Sequence, residues 1–232
     1  MRGAGLLAAL AFLLCALAVG AAAHQAEQLT QESVFRSDPD GAIVSRASGY
    51  RFPAALAELP RRRVRIIAAN DVMVQFTQRG GGLGDCWLDL IVYPATRPVD
   101  AEARQVEAEL VRNMAATPVL APAPVPRGAG DGRSGWFHGT LEGRSFTSGY
   151  VLVRRGDWFI LVRASNPDEA GEAGMARLLP AIAAIDWTWR PTPDGNRRAD
   201  RLGQVPERVS RRDPHISTEY RASASARPMN QA

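Results

Sequence analysis

Residues 136–165 read WFHGTLEGRSFTSGYVLVRRGDWFILVRAS, and their pattern decides the fold. Two turn signals, Glu142-Gly143 and Arg155-Gly156, divide the stretch into runs rich in β-branched and aromatic residues: Trp136 to Leu141, Arg144 to Arg154, and Asp157 to Ser165. Side chains alternate across a strand, so Phe146, Ser148, Tyr150 and Leu152 point one way and Thr147, Gly149, Val151 and Val153 the other. Both sets contain apolar residues, which predicts a sheet covered, at least in part, on both faces. The adhesion-like triplet Arg155-Gly156-Asp157 then reads as turn chemistry, with glycine supplying the turn and ordinary charged flanks on either side.

Upstream, Arg63 to Ala68, Val72 to Gln78 and Cys86 to Tyr93 are three further β-rich runs, joined at Ala69-Asn70-Asp71 and by the glycine-rich turn RGGGLGD. A hairpin is expected in SVFRSDPDGAIVSR, with its turn at Asp38-Pro39-Asp40-Gly41. Pro53 suits the first position of a short helix over AALAEL. Between the two groups of three strands, Asp100 is placed to cap AEARQVEAELVRNMAA, whose Ala103, Val106, Leu110 and Met114 share one helical face. A Pro-rich connection, TPVLAPAPVP, and a Gly-rich one lead on to the strands of residues 136–165. Asn166-Pro167-Asp168-Glu169 reads as the start of a last helix, with Met175, Leu178, Leu179, Ile182 and Ile185 facing the sheet and Pro180 expected to weaken it. The sum is an α+β domain over residues 34–189: an antiparallel sheet of about six strands with two main helices packed on it.

Residues 1–23 carry Arg2, then LLAALAFLLCALAV, then Ala21-Ala22-Ala23, in the order of a secretory signal. The expected location is therefore periplasmic or secreted, with no stable membrane span in the mature chain. Residues 24–33 and 190–232 lack apolar periodicity and read as a disordered leader and a disordered tail. All 28 basic residues are Arg. From residue 190 onward nine Arg face five acids, whereas residues 24–189 hold 18 Arg and 19 acids, so the basic character belongs to the tail. An Arg-rich extension is suited to an anionic envelope surface; with only Tyr220 for stacking, it is poorly suited to nucleic acid.

The segment Gly49-Tyr50-Arg51-Phe52-Pro53, the strand ending Tyr93-Pro94 before a helix, and the run Gly156 to Ser165 feeding a final helix resemble PsbP-like domains and related secreted bacterial proteins. The resemblance covers roughly residues 34–189. It implies the α+β fold and an accessory or assembly role in a larger complex, and it brings no shared catalytic set.

His138 is the only histidine between His24 and His215, and Cys86 the only cysteine after Cys15. A hydrolase-like enzyme would need His138 beside Cys86 or beside a strand-end serine such as Ser148, because an activated nucleophile needs a base within hydrogen-bond reach. The alternation of Cys86, Leu88, Leu90 and Val92 favours an inert core thiol. No metal-ligand spacing is present. Gly130-Asp131-Gly132-Arg133-Ser134-Gly135 matches GxGxxG, but the pattern predicts a strand after it, where dinucleotide binding requires a helix N-terminus. Trp87, Trp136, Trp158 and Trp187 are expected as core anchors. A carrier of a small apolar ligand would show a closed cavity between sheet and helix. The expected function is an exported, non-catalytic interaction module without cofactors, acting on a protein partner or an anionic envelope surface.

Overall fold

The computed structural model describes residues 29–78, 85–119, 126 and 130–191. The signal pattern of 1–23, leader residues 24–28, the glycine run 80–84, residues 120–125 of the Pro-rich connection and the tail from 192 lie outside them. The chain divides into a unit ending at Thr30 and one beginning at Gln31, and the elements among the described residues belong to the second.

All six expected strands form, as β5 (Leu59–Ala68), β6 (Asp71–Thr77), β7 (Trp87–Pro94), β9 (Gly132–Leu141), β10 (Arg144–Arg155) and β11 (Trp158–Pro167). Two short strands, β4 (Ala55–Leu56) and β8 (Thr117–Val119), complete an eight-stranded antiparallel sheet of order β4-β5-β6-β7-β11-β10-β9-β8. The two groups of strands thus join through the β7–β11 pair, Trp87 opposite Ser165 and Pro94 opposite Trp158. A separate three-stranded sheet consists of β1 (Phe35–Ser37), β2 (Ile43–Ser45) and β3 (Arg51–Phe52). The hairpin expected around Asp38–Gly41 is its β1–β2 pair. The first helix among the described residues, α1, is the four-residue Gln31–Val34, so residues 31–33 belong to the folded unit rather than to the leader.

Two longer helices, α2 (Val99–Met114) and α3 (Gly171–Ala183), take opposite faces of the large sheet. Against α2 lie Trp87, Ile91, Tyr93, Phe137, Phe146, Tyr150, Leu152, Phe159 and Leu161, which meet Ala103, Val106, Leu110 and Met114. The other face carries Leu88, Leu90, Val92, Val151, Val153, Trp158, Ile160 and Val162 against Leu178, Ala181 and Ile182 of α3 and against the small sheet. The alternation read from β7 and β10 is the physical basis of this sandwich. Trp158, Phe76, Phe146 and Phe159 are fully buried, each burial contributing roughly 1.5–3 kcal/mol. Trp87 and Trp187 are also buried, and Trp136 packs half-buried against the α3-side core.

Four local expectations are corrected. AALAEL is a hairpin rather than a helix: Leu56 pairs with Leu59, both are buried, Ala57 turns the chain at φ 49°, and the Arg61 amide donates to the Ala54 carbonyl. Packing of two leucines and a ladder partner for β5 outweigh helix propensity here. Asp100 is not a cap; Pro98 precedes α2, and Asp100 pairs instead with Arg133 at 2.6 Å. Asn166 stays in β11 and donates from Nδ2 to the Gly171 carbonyl at 2.9 Å, with a 3-10 turn (Asp168–Ala170) before α3. Leu179 is exposed, and Ala181 holds the core position expected of it.

Candidate functional site

The sequence candidates do not converge. His138 on β9 pairs with Thr147, while its neighbour Phe137 pairs with Ser148 and packs in the α2-side core. Ser148 therefore lies on the opposite face of the sheet from His138, and its hydroxyl is buried against Ser165 Oγ at 2.9 Å. Cys86 immediately precedes β7, so β10 and β11 stand between its strand and β9; three strand spacings amount to about 14 Å. The thiol is fully buried, and its pKa is pushed up, first by burial and then by Asp85. His138 Nε2 lies 3.7 Å from Asp168 Oδ2 at the surface, beyond hydrogen-bond reach.

The GxGxxG match and the Arg155-Gly156-Asp157 triplet meet at one place. Gly130 and Asp131 border an open depression of about 610 Å³ with Pro98, Val99, Arg154, Arg155 and Gly156. Strand β9 follows Gly130-Asp131, so this motif leads into no helix of its own, and the helix N-terminus that borders the depression is that of α2, at Pro98 and Val99. The nearby first turn of α2 carries Asp100 and Glu102, which oppose an anion. At the β10–β11 turn, Arg155 Nε donates to the Trp187 carbonyl at 2.8 Å and Asp157 accepts from the Ala95 amide, so the Arg155–Asp157 turn is tied to the domain.

A different set is brought together. On the α2 side of the sheet, Arg63, Gln75, Asp89, Arg163 and Tyr150 occupy directly paired positions on β5, β6, β7, β11 and β10. Gln75 Nε2 donates to Asp89 Oδ1 at 3.0 Å, Arg163 lies 4.0 Å from Glu109 of α2, and the Tyr150 hydroxyl donates to Glu107 at 2.6 Å. Burial pushes the Asp89 carboxyl above the usual aspartate range, against the charges of Arg163 and Arg63 and the Gln75 hydrogen bond, which lower it. Burial and the Glu107 contact hold the Tyr150 phenol above the usual tyrosine range.

The row grades across the sheet because, among the described elements, α2 packs most closely over β9 and β10. Tyr150 is buried, Arg163, Asp89 and Gln75 are half-buried, and Arg63 is exposed beside exposed Arg65. The edge of α2 along this row carries Glu102, Gln105 and Glu109; buried Glu102 accepts from the Tyr93 hydroxyl at 2.7 Å and pairs with Arg97 at 3.3 Å. Chemically the row offers hydrogen bonds and charges of both signs to a polar partner. Sequence reading missed it, although one signal was present. Each strand places a polar residue beside apolar neighbours: Gln75 in VMVQFT, Asp89 in CWLDLIVY, Arg163 in ILVRAS.

Among the described residues, no group of three or more His, Cys, Asp or Glu is placed to hold a metal ion, and no helix is long and apolar enough to cross a membrane. No family model matches this chain, and no curated protein matches it significantly.

Proposed function

We propose that this chain is an exported, non-catalytic interaction module of the bacterial envelope that recognises a protein partner. The observation that carries the reading is the α2 side of the sheet, where a row of polar residues of mixed charge, with Gln75 hydrogen-bonded to Asp89, runs from beneath α2 to exposed Arg63 and Arg65. Such a face combines a rigid, packed floor with polar groups at its rim, as recognition surfaces do. Export is supported by the signal pattern of residues 1–23, and an accessory role by the resemblance to PsbP-like domains. The Arg-rich tail adds an attraction to anionic envelope surfaces.

The test is capture from native envelopes with the chain over residues 24–232 beside a version ending at Trp189, followed by mass spectrometry. A stoichiometric protein retained by both supports a domain-borne interaction. A protein retained only by the longer chain moves recognition to the tail, and capture of nothing by either removes the reading.

A further inference from the structure

We infer that the outer edge of β5 accepts an acidic strand of the partner protein by strand addition; the inference rests on the interaction reading above and names its surface. Strand β4 covers β5 only at Leu59 and Pro60, and beyond them the side of β5 away from β6 carries no further strand among the described residues. An edge of this kind presents backbone donors and acceptors to an extended chain. Register shifts at Arg61/Arg63 and Ile66/Ala68 bracket a regular stretch, Arg63–Ile66, which sets the length of the recognised segment.

Charge selects the occupant. Strand β5 reads LPRRRVRIIA, with four Arg and no acid. Arg63 and Arg65 are exposed on the α2 side, while Val64 and Ile66 are half-buried against the opposite core. A strand laid beside them places acids opposite Arg63 and Arg65 and apolar residues beside Val64 and Ile66, so the complementary sequence alternates acidic and apolar residues. A second copy of β5 is disfavoured, because antiparallel self-pairing about Val64 sets Arg63 against Arg65. The tail of this chain, with nine Arg and five acids, meets the same repulsion.

The probe is a synthetic end-capped peptide alternating Glu and Val, titrated into the full chain. Three comparisons accompany it: the same peptide with Lys for Glu, the same peptide with its alternate backbone amides N-methylated, and the Arg63→Glu/Arg65→Glu variant. The expected result is binding that weakens about tenfold on charge reversal of the protein, returns when the reversed protein meets the Lys peptide, and is lost on N-methylation. Amide exchange should slow at Val64 and Ile66. Binding indifferent to charge reversal or to N-methylation overturns the inference, as does a concentration-dependent dimer that competes with the peptide. The Lys peptide with the unaltered protein provides the charge test even if the double variant fails to fold. A native partner retained by the folded double variant leaves the interaction reading standing and removes this one.

Discussion

Arg163 on β11 faces Asp89 on β7 directly across the ladder, and the two connect helix α2, through Glu109, to the β5–β6 half of the sheet. The Asp89 carboxyl still titrates above its usual value of 3.8, because burial outweighs the nearby cations. A raised carboxyl pKa means that the folded state holds the proton more tightly, so stability is lost as pH rises from 3.8 through the raised value. Asp89→Asn is therefore expected to be more stable than the parent at neutral pH, with the advantage shrinking as pH falls into that window. Urea unfolding at several pH values measures it. A pH-independent difference between the two proteins contradicts the burial argument.

The Tyr93 hydroxyl and Glu102 form a buried hydrogen bond of 2.7 Å beneath the first turn of α2. Tyr93→Phe removes a donor to a buried carboxylate, and a loss of roughly 1.5–3 kcal/mol in unfolding free energy is expected. Arg97 at 3.3 Å still pairs with Glu102 and limits the damage. A variant as stable as the parent would show that Arg97 alone satisfies the carboxylate.

Cys86 is expected to resist alkylation in the folded protein and to react fully once denaturant is added. Two effects act together: the thiol is fully buried, and its raised pKa lowers the thiolate fraction near neutral pH. His138→Ala should leave the native rate unchanged, given the two strands between them. A faster native reaction than that of the unfolded chain would show an activated thiol and revive thiol chemistry.

Gly149 is required by Trp136. A Cβ at position 149 would overlap the Trp136 ring, since the two residues pair across β9 and β10. Gly149→Ala should displace the indole and cost roughly 1–3 kcal/mol. In a Trp136→Ala background the cost should shrink, which a double-mutant cycle with near-ultraviolet circular dichroism detects. Additive penalties would place the strain in the backbone instead.

Six strands, two long helices and the coverage of both sheet faces were legible because these properties are local. A run such as SFTSGYVLV states its own period, and Val151 and Phe146 declare opposite faces wherever the strand is placed. The buried Cys86 was legible for the same reason. AALAEL was not, because Ala, Leu and Glu locally favour a helix. The burial of Leu56 and Leu59 beside β5 decided for the hairpin.

The candidate row was decided by tertiary structure alone. Alternation fixes which face a residue takes, but not which strand lies beside it or in what register. Only the order β5-β6-β7-β11-β10 brings Arg63, Gln75, Asp89, Arg163 and Tyr150 into line. That same order separates His138 from Cys86 by two strands, and the pleat turns Ser148 to the other face. Local pattern thus determined the elements and their apolar faces, while strand order and register determined which polar side chains meet, because those depend on contacts between residues far apart in the chain.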